Sequence, residues 1–401
     1  MASRASAGVK KWQDVASEVQ KHRDATIAKV EPAIVEIFEK LPRRVISLPR
    51  NYLSPEEITI TETLIEELLA PLATGKLSSL AVTKTFLRRA AIAQKLRIAF
   101  QVNCVYELLP GRAVARAKEL DEHLAKIGPI GPLHGLPISV KEHIGMKDLD
   151  NTCGLVGWVG RKNHDDANIL KILLATGAVL YVRINEPQGL VTLTPGGSSG
   201  GESALQALAG SLLVIGSDIV GGSIRSPAVQ CGLYGLHPTT FRLPLVGLAA
   251  PSIDLFMKVA LHSKPCTKLY AYDGGKLFAD TLALSGEADL PLTNYPLKDS
   301  SGVQNLTHQE GYTSIWKLLD YPNIVFPVTK VNPDIDFKDV NYKPRNDLDQ
   351  WYHDHPSVEE HIYAPIGLQL VAKKLEDEKV VDVMRFIKEK IGVPFVDCFQ
   401  D

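Results

Sequence analysis

Between Leu136 and Ile215 the chain alternates short apolar runs with helical stretches, and this alternation restricts its possible folds more than any other feature. Leu136–Val140, Ala178–Val182 and Leu212–Ile215 have the length of buried strands. Asp166–Thr176 has helical periodicity and stops at Gly177, a residue suited to the left-handed turn that closes a helix. Strand and helix in this order predict an α/β protein built on a mixed central sheet with helices on both faces.

Upstream the signals are helical. Trp12, Val15 and Val19 recur at i, i+3 and i+7, which predicts an amphipathic helix in an N-terminal arm, 1–50, packed on a main domain, 51–401. Ser54-Pro55-Glu56-Glu57 supplies an N-cap, a first-turn proline and first-turn acid for a helix running to about Leu69. Ser78 or Ser79 caps the next helix, on which Val82, Phe86 and Ala90 share a face, and Ala113, Ala117, Leu120 and Leu124 line a third. From Pro238 to Thr313, turn clusters such as Asp273-Gly274-Gly275 and Asp299-Ser300-Ser301-Gly302 separate weak periodic segments, and no sheet order can be assigned. Asn323–Val328 then reads as a buried strand, and Leu375, Val380, Met384, Ile387 and Ile391 as one face of a closing helix.

Charge and cysteine usage narrow the function class. The 44 basic and 46 acidic side chains of 401 residues leave a net charge of −2, so no global field draws the chain to nucleic acid or an anionic membrane. The five cysteines, Cys104, Cys153, Cys231, Cys266 and Cys398, lack CxxC spacing and are read as reduced thiols. Neither a signal-like leader nor an apolar run of about 18 residues is present, and the expectation is a soluble cytoplasmic protein acting on a small molecule. Monomer and homodimer are both left open.

Two glycine-flanked serine turns carry the candidate chemistry. In Thr194-Pro195-Gly196-Gly197-Ser198-Ser199-Gly200-Gly201-Glu202-Ser203, four glycines and paired serines open onto a helical segment, a shape that can bind an anion or a developing oxyanion and can equally be a structural turn. Some twenty residues on, Gly216-Ser217-Asp218-Ile219-Val220-Gly221-Gly222-Ser223-Ile224-Arg225 places a second such serine after an apolar strand. A serine hydroxyl needs a base to become a nucleophile. His134, His143, His164 and His237 are near in sequence, but no G-x-S-x-G elbow ties a histidine to either turn. Lys141, ending the apolar run His134–Lys141, could be desolvated enough to lose its proton; alternatively it pairs with Glu142 or another buried acid.

Together, the strand ending in Lys141, the GGSSGG loop and the Asp218–Ala228 segment resemble the amidase signature family, over about Ser54 to Ile391. Leu133–His143 and Cys231–Thr239 look most like its fungal acetamidase and general amidase branch. The resemblance implies amide hydrolysis through an acyl-enzyme, without metal or cofactor. It assigns Ser223 as nucleophile, Ser198 as a serine in a cis peptide relaying the proton, and Lys141 as base. Ser199 would orient Lys141, the backbone N–H groups of Ile219, Val220, Gly221, Gly222 and Ser223 would form an oxyanion hole, and Asp218 and Arg225 would brace that turn. The expected substrates are amides of small monocarboxylic acids, released as acid and ammonia.

The chain also departs from the family pattern. Two residues, Ile219 and Val220, separate Asp218 from Gly221 where relatives have one, and the junctions at Asn185–Thr194, Ala250–Ser252, Thr267 and Thr307 look shortened. A catalytically silent scaffold that only binds a ligand or partner is therefore the second expectation, as a splice or gene-model variant. His134 and His237 are read as core or turn histidines, Cys231 as a small buried apolar residue, and Tyr312 and Trp316 as acyl-pocket walls or core.

Overall fold

A computed structural model describes residues 10–34, 45–96, 103–186, 196–218, 222–249, 276–287, 313, 315–317, 319–354 and 361–391. The turn clusters at 273–275 and 299–302, Tyr312 and the proposed oxyanion residues Ile219, Val220 and Gly221 lie outside the described residues.

In the N-terminal arm, α1 (Trp12–Ile27) half-buries Trp12, Val15 and Val19, and the same stripe continues into fully buried Arg23, Thr26 and Ile27. It docks on the strand β1 (Val105–Leu108), where the Leu108 N–H donates to Thr26 Oγ1 at 3.1 Å. The segment after Ser54 folds as two helices, α2 (Pro55–Glu62) and α3 (Ile65–Thr74), where the sequence predicts one. The Ser54–Glu57 capping box forms as expected. The break falls at Thr63, whose backbone is extended and whose hydroxyl donates to the Thr59 carbonyl at 2.6 Å. Such side-chain bonds divert carbonyls from the helical ladder in a β-branched stretch that favours helix weakly.

Ser78 caps α4 (Ser79–Lys95), and α5 (Pro110–Lys126) buries Ala113, Ala117 and Leu120. These helices pack on a four-stranded sheet in the order β1-β3-β2-β4, with β2 Pro137–Lys141, β3 Val179–Ile184 and β4 Val214–Ile215. β2 runs parallel to both neighbours and β1 antiparallel to β3, which makes the sheet mixed. The predicted crossover helix between β2 and β3, α6, runs Asn168–Ala175. Phe86 packs edge-on against Tyr181 with ring centroids 6.2 Å apart, tying α4 to β3. Deeper still, the fully buried Arg89 guanidinium donates to Leu208 O (2.7 Å), Thr61 Oγ1 (2.6 Å) and Glu62 (2.9 Å). Because all three contacts fix a buried cation, this network specifies how α2, α4 and the chain after the GGSSGG loop meet.

The described strands form two sheets. The second is antiparallel, β5-β6-β7, with β5 Gly235–His237, β6 Asn323–Lys330 and β7 Pro365–Val371. Among the described residues, β4, two residues long, stands at the end of the first sheet. The closing helix, Asp377–Ile391, buries Val380 and half-buries Met384 and Ile387. Leu375, assigned to that face by periodicity, instead precedes the helix with φ 67° and is exposed. No helix among the described residues is long and apolar enough to cross a membrane.

Candidate active site

β2 is a central strand with all five residues buried, and its last residue, Lys141, is wholly inaccessible to solvent. Burial pushes the Lys141 pKa down; Glu186, Glu202, Cys153 and Asp218 oppose this without reversing it. The expected alternative partner, Glu142, is occupied elsewhere: its carboxylate lies 3.2 Å from Arg183 Nη2 and accepts the N–H groups of Thr152 (2.6 Å) and Cys153 (2.9 Å). Lys141 forms no ion pair among the described residues. Its Nζ lies 2.6 Å from Ser198 Oγ and 3.0 Å from Ser217 Oγ. Glu202, also inaccessible, has its pKa raised well above the carboxylate range by burial, and Ser139 Oγ donates to it at 3.4 Å. With Glu202 neutral, the strongest charge acting on the amine is Glu186, whose carboxyl, which burial alone would raise, is held down to about 2 chiefly by Lys141 itself and which forms no direct ion pair with it.

The two serine turns meet back to back. The Ser199 N–H donates to the Ser223 carbonyl at 3.0 Å, just ahead of the helix α7 (Gly200–Ala207). A Cβ on Gly197 would lie 2.8 Å from Ser223 Cα, so only glycine permits this approach. Ser198 and Ser223 are therefore neighbours through their backbones, and no hydrogen bond joins their hydroxyls in this conformation. Catalytic hydrogen bonds often tighten only in the substrate complex.

Asp218 and Arg225 form a buried ion pair, and Asp218 also reaches the serine turn itself. Arg225 Nε and Nη2 donate to the Asp218 carboxylate at 2.7 and 3.3 Å, and Nη1 donates to Thr313 O (2.9 Å) and Gln369 Oε1 (3.3 Å). Burial alone would raise the Asp218 pKa, yet the Arg225 guanidinium holds it down to about 2. Its Oδ1 accepts the Ser223 N–H at 3.1 Å. That N–H, expected to face a substrate oxygen, is turned onto a carboxylate instead, while Gly222 takes φ 90° beside it.

Three further expectations change. The Gly197–Ser198 peptide is trans; among the described residues the cis peptide is Glu31–Pro32. Trans is the default for a non-proline bond by about 3–4 kcal/mol, and Ser198 Oγ reaches the lysine without leaving it. Ser199 does not touch Lys141: its Oγ lies 3.3 Å from Ser217 O and 3.4 Å from Ser217 N. Ser217 holds the amine, a partner visible in sequence only as one more serine after β4. Cys231 is half-buried rather than buried.

The histidines divide as their surroundings require. His134 Nδ1 accepts the Ile130 N–H at 3.1 Å, a turn contact. His237 is buried with Nε2 2.7 Å from Lys317 Nζ, and burial with that neighbouring lysine depresses its pKa to about 4. Trp316 stacks on Tyr321, ring centroids 6.5 Å apart.

Comparison with known proteins agrees with this architecture. The Amidase family model matches residues 81–194 and 190–260, two pieces that overlap at 190–194, just ahead of the GGSSGG loop. A Schizosaccharomyces pombe protein, "Putative amidase C550.07", is 31% identical to 92% of this chain over 97% of its own length. The Acetamidase of Aspergillus oryzae is 25% identical over 95% of this chain and 99% of its own. Those alignments span 527 and 552 positions, so both relatives carry internal segments absent from this 401-residue chain. Among solved structures, fatty acid amide hydrolase superposes with a TM-score of 0.80 at 24% identity, covering 96% of each chain, a likeness of fold. On these grounds the chain belongs to the amidase signature family of amide hydrolases.

Proposed function

We propose that this protein hydrolyses amides of small monocarboxylic acids through an acyl-enzyme on Ser223, with Ser198 as relay and Lys141 as base. The observation that carries the reading is a lysine sealed from solvent, without an ion-pair partner among the described residues, and 2.6 Å from a serine hydroxyl in the loop that abuts Ser223. Burial shifts the balance toward the neutral amine, the form that can accept a proton. As the Ser223 oxygen bonds to the amide carbon, its proton passes to Ser198 and that of Ser198 to Lys141. The lysine returns a proton by the same path to the departing nitrogen, the C–N bond breaks, and ammonia leaves. Water then adds to the acyl carbon along the same relay, releasing the acid and restoring the Ser223 hydroxyl. No step draws on a metal or cofactor. The acetamidase relative supports small acyl groups, and a cytoplasmic reaction is part of the same proposal.

Labelling of the purified protein by a fluorophosphonate probe, followed by peptide mapping, tests this reading. Ser223 is expected to carry the label, and its absence in folded protein would remove the claim.

A second reading, a silent scaffold, is favoured by one observation: the Ser223 N–H is capped by Asp218 instead of open to a substrate. Losing one oxyanion donor costs roughly 10²- to 10³-fold in rate. Deleting Val220 separates the two readings: hydrolysis only in the deletion variant supports the silent scaffold, and equal hydrolysis in both supports the enzyme.

A further inference from the structure

Next to Lys141, but off the proposed proton path, the sheet gathers a second set of reactive side chains. Lys141 pairs with Ile184 in the parallel β2–β3 ladder, so residues two places beyond each strand end emerge abreast. These are His143 and Glu186, with Nδ1 and Oε1 2.7 Å apart. A loop returns to the same spot because the Glu142 carboxylate binds the N–H groups of Thr152 and Cys153, and Asn151 Nδ2 donates to the His143 carbonyl at 3.0 Å. Cys153, at φ 51°, is thereby turned into the cluster.

One ligand atom from each of His143, Cys153 and Glu186 lies within 4.8 Å of the others, and all three residues are buried. His143 Nε2 has no hydrogen-bond partner although it is cut off from water, Glu186 Oε1 has only His143 Nδ1 beside it, and Cys153 Sγ lies 2.9 Å from Ala249 O. Unsatisfied buried polar atoms of this kind demand an explanation.

We propose that His143, Cys153 and Glu186 form a binding site for a thiolate-preferring divalent cation of the zinc class. One imidazole, one sulfur and one carboxylate are the donors such an ion takes at about 2.0–2.3 Å, and three protein ligands leave a fourth position for water. Tetrahedral geometry at those lengths separates the ligand atoms by about 3.3–3.6 Å, which side-chain movements of about an ångström achieve from the present positions. On binding, the Cys153 S–H bond breaks, its proton goes to solvent and a sulfur–metal bond forms; the thiolate and the Glu186 carboxylate then neutralise the dication. Glu142 and Asn151, which hold the Cys153 loop and the His143 backbone, supply the outer support that metal sites need. A cavity of about 180 Å³, lined by Thr152, Gly154 and Asn185, the chain neighbours of Cys153 and Glu186, offers an approach.

Cobalt(II) titrated into the metal-free, full-length protein tests the site by absorbance, whatever the fate of the amidase reading. We expect one equivalent to give a thiolate-to-cobalt charge-transfer band with tetrahedral ligand-field bands, both displaced by zinc. C153S should abolish the charge-transfer band, H143A and E186Q should each weaken cobalt binding at least tenfold, and C231S should change nothing. Absence of the band in folded wild-type protein, or its persistence in C153S, overturns the proposal. Should C153S fail to fold by circular dichroism, the near-isosteric E186Q decides, since unchanged affinity there is equally fatal.

Discussion

Replacing Lys141 with methionine tests the proposed chemistry and its physical basis together. Methionine keeps most of the side-chain volume at a site with no solvent access, so the core is spared a large cavity, but the amine that sits 2.6 Å from Ser198 Oγ and 3.0 Å from Ser217 Oγ is gone. If that amine is the general base, the fluorophosphonate labelling rate of Ser223 should fall about 10²- to 10⁴-fold. The loss corresponds to about 3–5 kcal/mol of barrier. Stability should move the other way. The folded-state pKa of Lys141 lies below its unfolded value, so between the two the unfolded chain binds more protons, and unfolding free energy rises with pH across that window. The wild type therefore carries a penalty at and below neutral pH that is relieved toward pH 10.5, and the methionine variant should lose this slope and be at least as stable near pH 7. Wild-type labelling should likewise increase with pH through the depressed pKa of the amine. A folded methionine variant that labels within tenfold of wild type would refute the assignment of the base. A variant much less stable at neutral pH would refute the view that the lysine is held there against its own solvation.

Gly197→Ala should push the two serine turns apart, because the added methyl meets Ser223 Cα at 2.8 Å and Pro227 Cδ at 3.0 Å; labelling should drop roughly 100-fold, measured with the same probe. Asp218→Asn leaves Arg225 buried with a weakened partner and should lower unfolding free energy by about 3–5 kcal/mol in urea titrations. In the wild type, the Asp218 carboxylate, held down to about 2, stabilises the fold above its unfolded pKa, and that contribution is lost as pH falls from about 4 toward 2. The unfolding free energy of the asparagine variant should accordingly change less with pH in that range. Phe86→Ala removes a fully buried ring packed on Tyr181 and should cost about 3–5 kcal/mol with an unchanged denaturant m-value.

How much could be read in advance follows the range of the interactions. The Ser54–Glu57 cap, the Ser78 cap and the glycine ending α6 are set within four residues, and each forms as predicted. The helix over 55–69 fails because the break at Thr63 depends on threonine hydroxyls competing for carbonyls, a contest that apolar periodicity does not register. Leu375 fails for a similar reason: its spacing fits the helix, yet its backbone at φ 67° precedes the first turn.

The local motifs of this chain determined the α/β architecture, the family and the identity of Lys141, Ser198 and Ser223 as candidates, because strand patterning and glycine-flanked turns are written in consecutive residues. Only the tertiary structure decided that Ser217 rather than Ser199 holds the lysine, that Asp218 caps the Ser223 N–H, and that His143, Cys153 and Glu186 converge. Those outcomes depend on the register of β2 against β3 and on where loops close over it, and a pairing between residues tens of positions apart has no signature in either segment alone.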